Sequence, residues 1–149
     1  MQIEDEIKGR FRNERHKGLI NLTFTVKQLS YSFLQTLKTH GLTEPQYNIL
    51  RVLRGFRNEG TSSIGFLKER MLDRSSDVSR LVDKLYDKGL IDRKENDIDR
   101  RQKDVVITEN GLKLLAEMLD CEAQADSELN NLTDEEVVEL NRLLDKIRE

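Results

Sequence analysis

The sequence predicts a mainly α-helical fold with one small β-hairpin. Apolar residues recur every three or four positions through most of the chain, which is the spacing of a buried helix face. That spacing is interrupted once, between residues 90 and 107, where two short strand-like runs flank a polar loop. Glycines and capping boxes divide the helical part, and the predicted order of elements is α-α-α-α-β-β-α-α.

The first two helices are predicted from periodicity and from their end signals. One helix is expected over about residues 3–40, and Gly9 and Gly18 leave open a break within it. Gly41 ends it because glycine readily adopts the left-handed cap conformation. Thr43 and Gln46 form a capping box that starts the second helix, since each side chain can bind the other residue's backbone N–H. This helix is expected to end at Gly55.

The next two helices are short and are joined by a tight turn at residues 72–74. The first is predicted to begin at Ser62 or Ser63 and to run through Met71. The second is predicted over residues 75–88, and Gly89 ends it. Its buried stripe consists of Val78, Leu81, Val82 and Leu85.

The change of period after Gly89 predicts a β-hairpin. Residues 90–95 and 103–107 read as strands, joined by a polar loop that contains an arginine pair. Thr108 is then a suitable N-cap for a long helix from Glu109 to about Leu129. A second capping box at Thr133 starts the last helix.

Charge is distributed unevenly along the 149 residues. Lys and Arg outnumber Asp and Glu by 10 to 6 over residues 1–67 and by 11 to 9 over residues 68–103. Over residues 104–149 they are outnumbered by 4 to 13. Residues 1–103 are therefore mildly basic and residues 104–149 are acidic. The basic part permits a polyanionic partner but does not require one.

Several classes of protein are disfavoured. No apolar run is long enough to span a bilayer, and the charged N-terminus lacks the apolar core of a signal peptide, so we expect a cytoplasmic protein without membrane contact. The single cysteine, Cys121, is expected to be a buried, unreactive thiol rather than a redox sensor. No catalytic set, metal-ligand spacing or glycine-rich phosphate loop is present, so we expect no enzyme activity, metal or cofactor.

Two short helices followed by a hairpin are the parts of a winged helix-turn-helix. In such a unit the second helix enters the major groove of DNA and the hairpin, called the wing, reaches alongside. Away from its apolar stripe, the helix predicted over residues 75–88 carries short hydroxyl side chains and cations. Serine hydroxyls can donate to or accept from base edges and phosphates, while arginine can bind guanine or phosphate through two N–H groups.

The run from Ser75 to Gly111 resembles the recognition helix and wing of MarR-type transcription regulators. The points of likeness are Val78–Leu85, Lys88–Ile91, Asp99-Arg100-Arg101 and Ile107–Gly111, and Leu42–Leu50 resembles the start of the family's second helix. The resemblance implies one MarR-like domain over residues 1–149. Within it, residues 43–107 would form the winged helix-turn-helix, with the recognition helix at about 75–88 and the wing at about 91–107. Residues 1–41 and 109–149 would form a helical dimerisation region.

The resemblance also implies a homodimer on a pseudo-palindromic double-stranded operator, with recognition helices in successive major grooves and wing arginines in or beside the minor groove. The residues predicted to contact DNA are Arg74, Ser75, Ser76, Ser79, Arg80, Lys84, Arg100 and Arg101. Further candidates as phosphate neighbours are Arg93, Lys94 and Lys103.

Each of these residues has a structural alternative. The wing arginines are alternatively a solvated hairpin tip, or one of them pairs with Asp97 or Asp99; Asp99 is predicted to orient an arginine toward DNA. The serines are alternatively helix caps, with Ser75 or Asp73 as the N-cap. Arg80 is alternatively paired with a neighbouring aspartate, Asp77 or Asp83.

The sequence therefore predicts a homodimeric, sequence-specific DNA-binding regulator, and more specifically a repressor that a small molecule releases. A ligand between the DNA-binding lobe and the helical dimer region would favour a dimer whose recognition helices no longer match grooves about 10 bp apart. This ligand step is implied by the resemblance alone. The alternative is a winged-helix protein-interaction module, which the acidic tail favours and the arginines at positions 80, 100 and 101 oppose.

Overall fold

The computed structural model describes residues 2–149, which form two compact units. The first unit consists of the residues up to Gln35 together with Ala125–Glu149. The second consists of Thr36–Gln124 and contains the predicted winged helix-turn-helix. Within residues 2–149, every helix is too short or too polar to cross a lipid bilayer.

The prediction of one helix over residues 3–40 is wrong, because the chain forms α1 (Ile3–Ile7) and α2 (Glu14–Thr39). Lys8 leaves α1 in the left-handed conformation, at φ 52°. The chain then re-enters a helix where the Asn13 side chain accepts a hydrogen bond of 2.9 Å from the backbone N–H of His16.

The second helix of the prediction is confirmed as α3 (Glu44–Phe56), which is one residue longer than expected. Its capping box is present: the Thr43 hydroxyl accepts from the N–H of Gln46, and the Gln46 side chain accepts from the N–H of Thr43 at 3.0 Å. Gly41 precedes it at φ 69°, as the predicted stop requires. A 3-10 turn at Arg57–Glu59 follows α3.

The short helices of the prediction are α4 (Ile64–Glu69) and α5 (Val78–Asp87). Ser63 is the N-cap of α4, and its hydroxyl accepts from the N–H of Phe66 at 3.0 Å. The prediction that α4 runs through Met71 is wrong, because the helix ends at Glu69, although the Met71 side chain is buried. Helix α5 begins three residues later than predicted, and Gly89 after it has φ 70°.

The wing is a three-stranded antiparallel sheet rather than a hairpin alone. Strand β1 (Ser62–Ser63) pairs with β3 (Lys103–Ile107), which also pairs with β2 (Ile91–Glu95), giving the order β1-β3-β2. The β2–β3 register runs from Ile91 opposite Ile107 to Glu95 opposite Lys103. The two residues of β1 are too few to show an alternating pattern, so the sequence analysis missed this strand.

The predicted helix from Glu109 to about Leu129 is wrong in its continuity. The chain forms α6 (Glu109–Glu117) and α7 (Leu119–Ser127), interrupted at Met118, which has ψ near 2° and is fully buried. Thr108 caps α6 as predicted, since its hydroxyl accepts from the N–H of Gly111 at 3.1 Å. Cys121 in α7 is half-buried, so the expectation of a buried thiol is also wrong.

The last helix is α8 (Asp134–Ile147), which begins at the predicted capping box. In the second unit, the core is formed by apolar side chains of α3, α4, α5 and α6, of strands β2 and β3, and of the end of α2. The largest fully buried side chains are Leu37, Ile49, Leu50, Leu67, Val82, Leu85, Ile91, Val105, Leu115 and Met118. Since each such burial stabilises the fold by roughly 1.5–3 kcal/mol, this core fixes α5 and the wing relative to α3.

Candidate nucleic-acid interface

The N-terminus of α5 is set by Asp77, not by Ser75 or Asp73 as the sequence suggested. The Asp77 carboxylate accepts from the backbone N–H of Arg80 at 3.2 Å, which is the N-cap bond of the helix. Ser75 and Ser76 consequently lie in the turn before α5. The candidates within the helix are therefore Ser79, Arg80 and Lys84, which are all exposed.

The turn before α5 is held by side-chain to backbone hydrogen bonds. One Asp73 oxygen accepts from both the N–H and the hydroxyl of Ser75, at 2.9 and 2.6 Å. The hydroxyl and then the N–H of Ser75 lower the pKa of the Asp73 carboxyl below its usual value. At the other end of the turn, the N–H of Leu72 donates to the side chain of Asn48 at 2.8 Å. Asn48 is only 3% exposed, so the core of the lobe anchors this turn.

The serines before α5 differ in their accessibility. Ser75 is exposed, although its hydroxyl already donates to Asp73. The Ser76 hydroxyl is buried and has no hydrogen-bond partner among residues 2–149. A buried hydroxyl without a partner is energetically costly. Ser76 therefore contacts DNA only if the turn opens enough to expose its hydroxyl.

The apolar stripe of α5 faces the core, as predicted, so its polar face is presented to solvent. Val78, Val82 and Leu85 are buried, and Leu81 is half-buried. The opposite face carries Ser79 and Arg80 in the first turn of the helix. This is the part of a recognition helix that contacts base edges in a major groove.

Arg80 is not engaged by either of its acidic neighbours. Asp77 binds the backbone N–H of Arg80, and Asp83 instead pairs with Arg93 of strand β2 at 2.7 Å. The Arg93 guanidinium also lies over the Tyr86 ring, 4.1 Å from its centroid. Arg93 therefore has a structural role between α5 and the wing, while Arg80 keeps its guanidinium available.

Asn96 organises the loop at the wing tip. Its side-chain oxygen accepts from the N–H groups of Ile98 and Asp99, at 2.8 and 3.0 Å. Its side-chain nitrogen donates to Asp104 of β3 at 3.2 Å. A further bond of 3.0 Å runs from the N–H of Arg101 to the Asp99 carboxylate. Asp99 therefore fixes the backbone at the arginine pair, and this carboxylate contact is with an N–H group, not with a guanidinium.

The arginines between the end of α4 and the wing tip fall into two groups. Arg70 and Arg93 are engaged: the Arg70 guanidinium lies 3.5 Å from the Phe66 ring centroid, and Arg93 binds Asp83. The other arginines in this stretch form no ion pair or side-chain hydrogen bond within residues 2–149, and all of them are exposed. They are Arg74, Arg80, Arg100 and Arg101.

The lysine candidates are also exposed. Lys84 lines a cleft of about 530 Å³ together with Lys38 and Lys88, and the Lys88 ammonium donates to the carbonyl of Gly41. Lys94 and Lys103 lie on β2 and β3 without an ion pair among residues 2–149. The lysines add positive potential to this lobe but show no geometry specific to a base.

A polar cluster missed by the sequence analysis links α3 to α7. The Tyr47 hydroxyl donates to Glu122 at 2.5 Å, and the Arg54 guanidinium donates to the same carboxylate at 3.1 Å. Burial, and then the hydrogen bond to Glu122, raise the pKa of Tyr47 above its usual value. Tyr47 and Glu122 are 75 positions apart, and no local pattern connects them.

Comparison with known proteins agrees with this geometry. The sequence profile of the MarR family matches residues 42–103, which span α3 to the start of β3. The chain is 31% identical to the transcriptional regulator MhqR of Bacillus subtilis over 132 residues, covering 88% of this chain and 89% of that protein. It is 27% identical to the transcriptional repressor MdtR of the same organism, covering 86% of this chain and 81% of that protein.

The fold is similar to that of BpsR from Bordetella bronchiseptica, with a TM-score of 0.68 and 25% identity, over 86% of this chain and 96% of that one. The mainly helical architecture with a small sheet wing is thus shared with solved relatives. Because the alignment with MhqR covers 88% of this chain, the similarity extends beyond the winged helix-turn-helix. The chain belongs to the MarR family of transcription regulators, and it is not an enzyme.

Proposed function

We propose that this regulator binds double-stranded DNA in a sequence-specific manner as a homodimer and represses transcription until a small molecule releases it. Helix α5 enters the major groove, and the wing tip reaches the adjacent minor groove. The observation that carries this proposal is the set of four exposed arginines at positions 74, 80, 100 and 101, which lack protein partners among residues 2–149. The two other arginines of residues 70–101, Arg70 and Arg93, are engaged.

The candidate residues divide the contacts to base edges, phosphates and the minor groove among them, and Ser76, whose hydroxyl is buried, joins them only if the turn opens. Arg80 and Ser79 reach base edges from the first turn of α5, while Arg74 and Ser75 contact phosphate from the preceding turn. Lys84 contributes a phosphate contact further along the helix. Arg100 or Arg101 enters the minor groove, where a narrow A·T-rich segment concentrates negative potential. Asp99 orients the pair through the backbone of Arg101.

Exposed apolar side chains in the first unit support the homodimer. Leu19 and Val26 lie seven residues apart, and therefore on one face of α2, and both are exposed. Leu143 and Ile147 lie one turn apart on α8 and are exposed as well. Apolar faces of this kind are covered when a second copy of the chain packs on them. A dimer also supplies the two recognition helices that a pseudo-palindromic operator needs.

Repression and release are proposed by analogy with relatives. MdtR is named as a repressor, and the DNA binding of BpsR is regulated by 6-hydroxynicotinic acid. We extend both properties to this chain: a small-molecule effector stabilises a dimer whose recognition helices are wrongly spaced. Action on chromosomal DNA places the protein in the cytoplasm.

The experiment measures binding to a DNA duplex selected from random sequences at a series of salt concentrations, with fluorescence anisotropy as the readout. Each neutralised phosphate contributes about −0.9 to the slope of log K against log salt. Arg80→Ala removes one contact from each protomer, so the slope of the dimer should become shallower by about 1.8 if that contact is to phosphate. If Arg80 instead binds guanine, Arg80→Ala should reduce the preference for the selected duplex over random DNA. Arg80→Lys then keeps the charge but loses the bidentate contact.

Arg142→Ala is the matched control because it also removes one positive charge. Arg142 is paired with Glu139 at 2.7 Å on α8, which carries none of the proposed DNA contacts. Because α8 belongs to the proposed dimer face, the oligomeric mass of this variant must equal that of the wild type. Arg142→Ala should leave both the slope and the specificity ratio unchanged. A wild-type slope near zero would exclude the DNA-binding proposal and favour the alternative, a protein-interaction module.

A further inference from the structure

The wing tip presents an isoleucine to solvent almost completely. Ile98 is 97% exposed, which is more than any other large apolar side chain among residues 2–149. It lies between Asp97 and Asp99, two residues before Arg100. Single exposed apolar residues are common on protein surfaces, so exposure alone does not indicate a contact. The geometry and charge of the loop provide the further argument.

The loop that carries Ile98 is ordered by its own hydrogen bonds. The side chain of Asn96 accepts from the N–H of Ile98 at 2.8 Å, and the N–H of Asn96 donates to the carbonyl of Gln102 at 3.2 Å. The N–H of Gln102 donates to the carbonyl of Asp99 at 2.9 Å. Since isoleucine is branched at Cβ and has few rotamers, its side chain loses little freedom when it is immobilised.

The charges of the tip cancel. Asp97 and Asp99 offset Arg100 and Arg101, so residues 96–102 carry no net charge. Long-range attraction to the phosphate backbone therefore gives this loop little net gain. For the tip to dock stably against DNA, short-range contacts must contribute, and Ile98 is the apolar group placed to make one.

We propose that Ile98 makes an apolar contact inside the DNA minor groove, beside the wing arginines, and that this contact favours A·T pairs. The 2-amino group of guanine projects into the minor groove of a G·C pair and is absent from A·T pairs. Aliphatic side chains are used in the minor groove by several architectural DNA-binding proteins. The inference rests on the proposed function, because it requires the wing to reach DNA.

The test uses the full-length protein and the selected duplex. Ile98→Ser should weaken binding roughly tenfold, because two partly buried isoleucines are lost per dimer. The salt slope should not change, because an apolar contact releases no counterions. Ile98→Val should retain most of the affinity. The paired change Arg100→Ala and Arg101→Ala is the contrasting variant, and it should make the slope shallower.

A second arm locates the contact in the groove. G·C pairs placed under the wing should weaken wild-type binding, and inosine·cytosine pairs, which lack the 2-amino group, should restore it. Ile98→Ser should show a smaller difference between these duplexes than the wild type does, because only the preference of the wing arginine for a narrow A·T-rich groove remains. The thermal midpoint of Ile98→Ser should equal that of the wild type, because a 97% exposed side chain contributes little to the core.

The outcomes separate the two proposals. If wild-type binding has no salt dependence, the proposed function fails. If the wild type binds and the arginine variant changes the slope, but Ile98→Ser binds within twofold of wild type, only the role of Ile98 is refuted. A changed oligomeric mass of Ile98→Ser with unchanged DNA affinity would also refute it, because the tip would then contact protein.

Discussion

Replacement of Gly111 by alanine tests how closely α6 packs against the base of the wing. Gly111 lies in the first turn of α6 and is buried. A Cβ atom at this position would lie 2.3 Å from the carbonyl oxygen of Leu90 and 2.7 Å from Cγ1 of Ile107. The Leu90 carbonyl cannot move easily, because it also accepts from the N–H of Thr108 at 3.1 Å. The clash is therefore with fixed backbone.

The expected magnitude combines opposing effects. Alanine in place of glycine inside a helix stabilises by about 0.5–1 kcal/mol. Overpacking costs about 1–3 kcal/mol, and loss of the bond from the Gly111 N–H to the Thr108 hydroxyl costs about 1 kcal/mol. Gly111→Ala should therefore lower the free energy of unfolding by roughly 1–3 kcal/mol, although alanine has a higher helix propensity than glycine.

Gly55→Ala is the matched control, because Gly55 is also helical and a Cβ there meets no atom within 4 Å. It should raise the free energy of unfolding by up to about 1 kcal/mol. Urea denaturation followed by circular dichroism measures both variants, and the slopes should agree with wild type. If Gly111→Ala stabilises the protein as much as Gly55→Ala does, then α6 does not approach Leu90 and Ile107 as described.

Two further predictions concern the polar groups of α3. Tyr47→Phe should cost about 1–2 kcal/mol at pH 7, because the hydroxyl donates to Glu122. Since the pKa of Tyr47 is raised in the folded state, this contribution is complete below the ordinary tyrosine pKa of about 10 and is lost as pH rises through the folded value. A wild-type advantage over Tyr47→Phe that already shrinks between pH 7 and 9 would contradict this assignment. Asn48→Ala should lower the free energy of unfolding by about 1–3 kcal/mol and weaken operator binding as well, because the N–H of Leu72 loses its acceptor and the turn before α5 loosens. Unfolding and anisotropy measurements that show the stability loss without the affinity loss would assign Asn48 a purely structural role.

Local sequence signals determined most helix starts correctly. The boxes at Thr43 and Thr133, the Ser63 and Thr108 caps, and the hairpin strands depend on residues within a few positions of each other. Such signals act through short-range hydrogen bonds, so they depend little on the tertiary structure where only one cap residue is available. The start of α5 shows their limit: Asp73, Ser75 and Asp77 are all suitable caps, and only the packing of Val78 against the core selects Asp77.

Breaks without glycine or proline were not visible in the sequence. Met118 interrupts the long C-terminal helix, although nothing in its local sequence ends a helix. The third strand, Ser62–Ser63, exists only because β3 supplies its hydrogen-bond partners more than forty positions later. Both features depend on contacts between residues far apart in the chain, which no periodicity records.

For the DNA-binding residues, the sequence by itself determined the chemistry: serines and arginines on a short helix, and an arginine pair on a hairpin loop, in the order of a MarR regulator. Only the tertiary structure decided which of these groups remain available. Asp83 lies ten positions before Arg93 and three after Arg80, and it binds Arg93, because strand β2 brings that guanidinium onto α5 and over Tyr86. Because Asp83 pairs with Arg93, the Arg80 guanidinium is left exposed and without an ion pair among residues 2–149. Charge content is a property of the sequence, but pairing depends on distance, and distance is set by the fold.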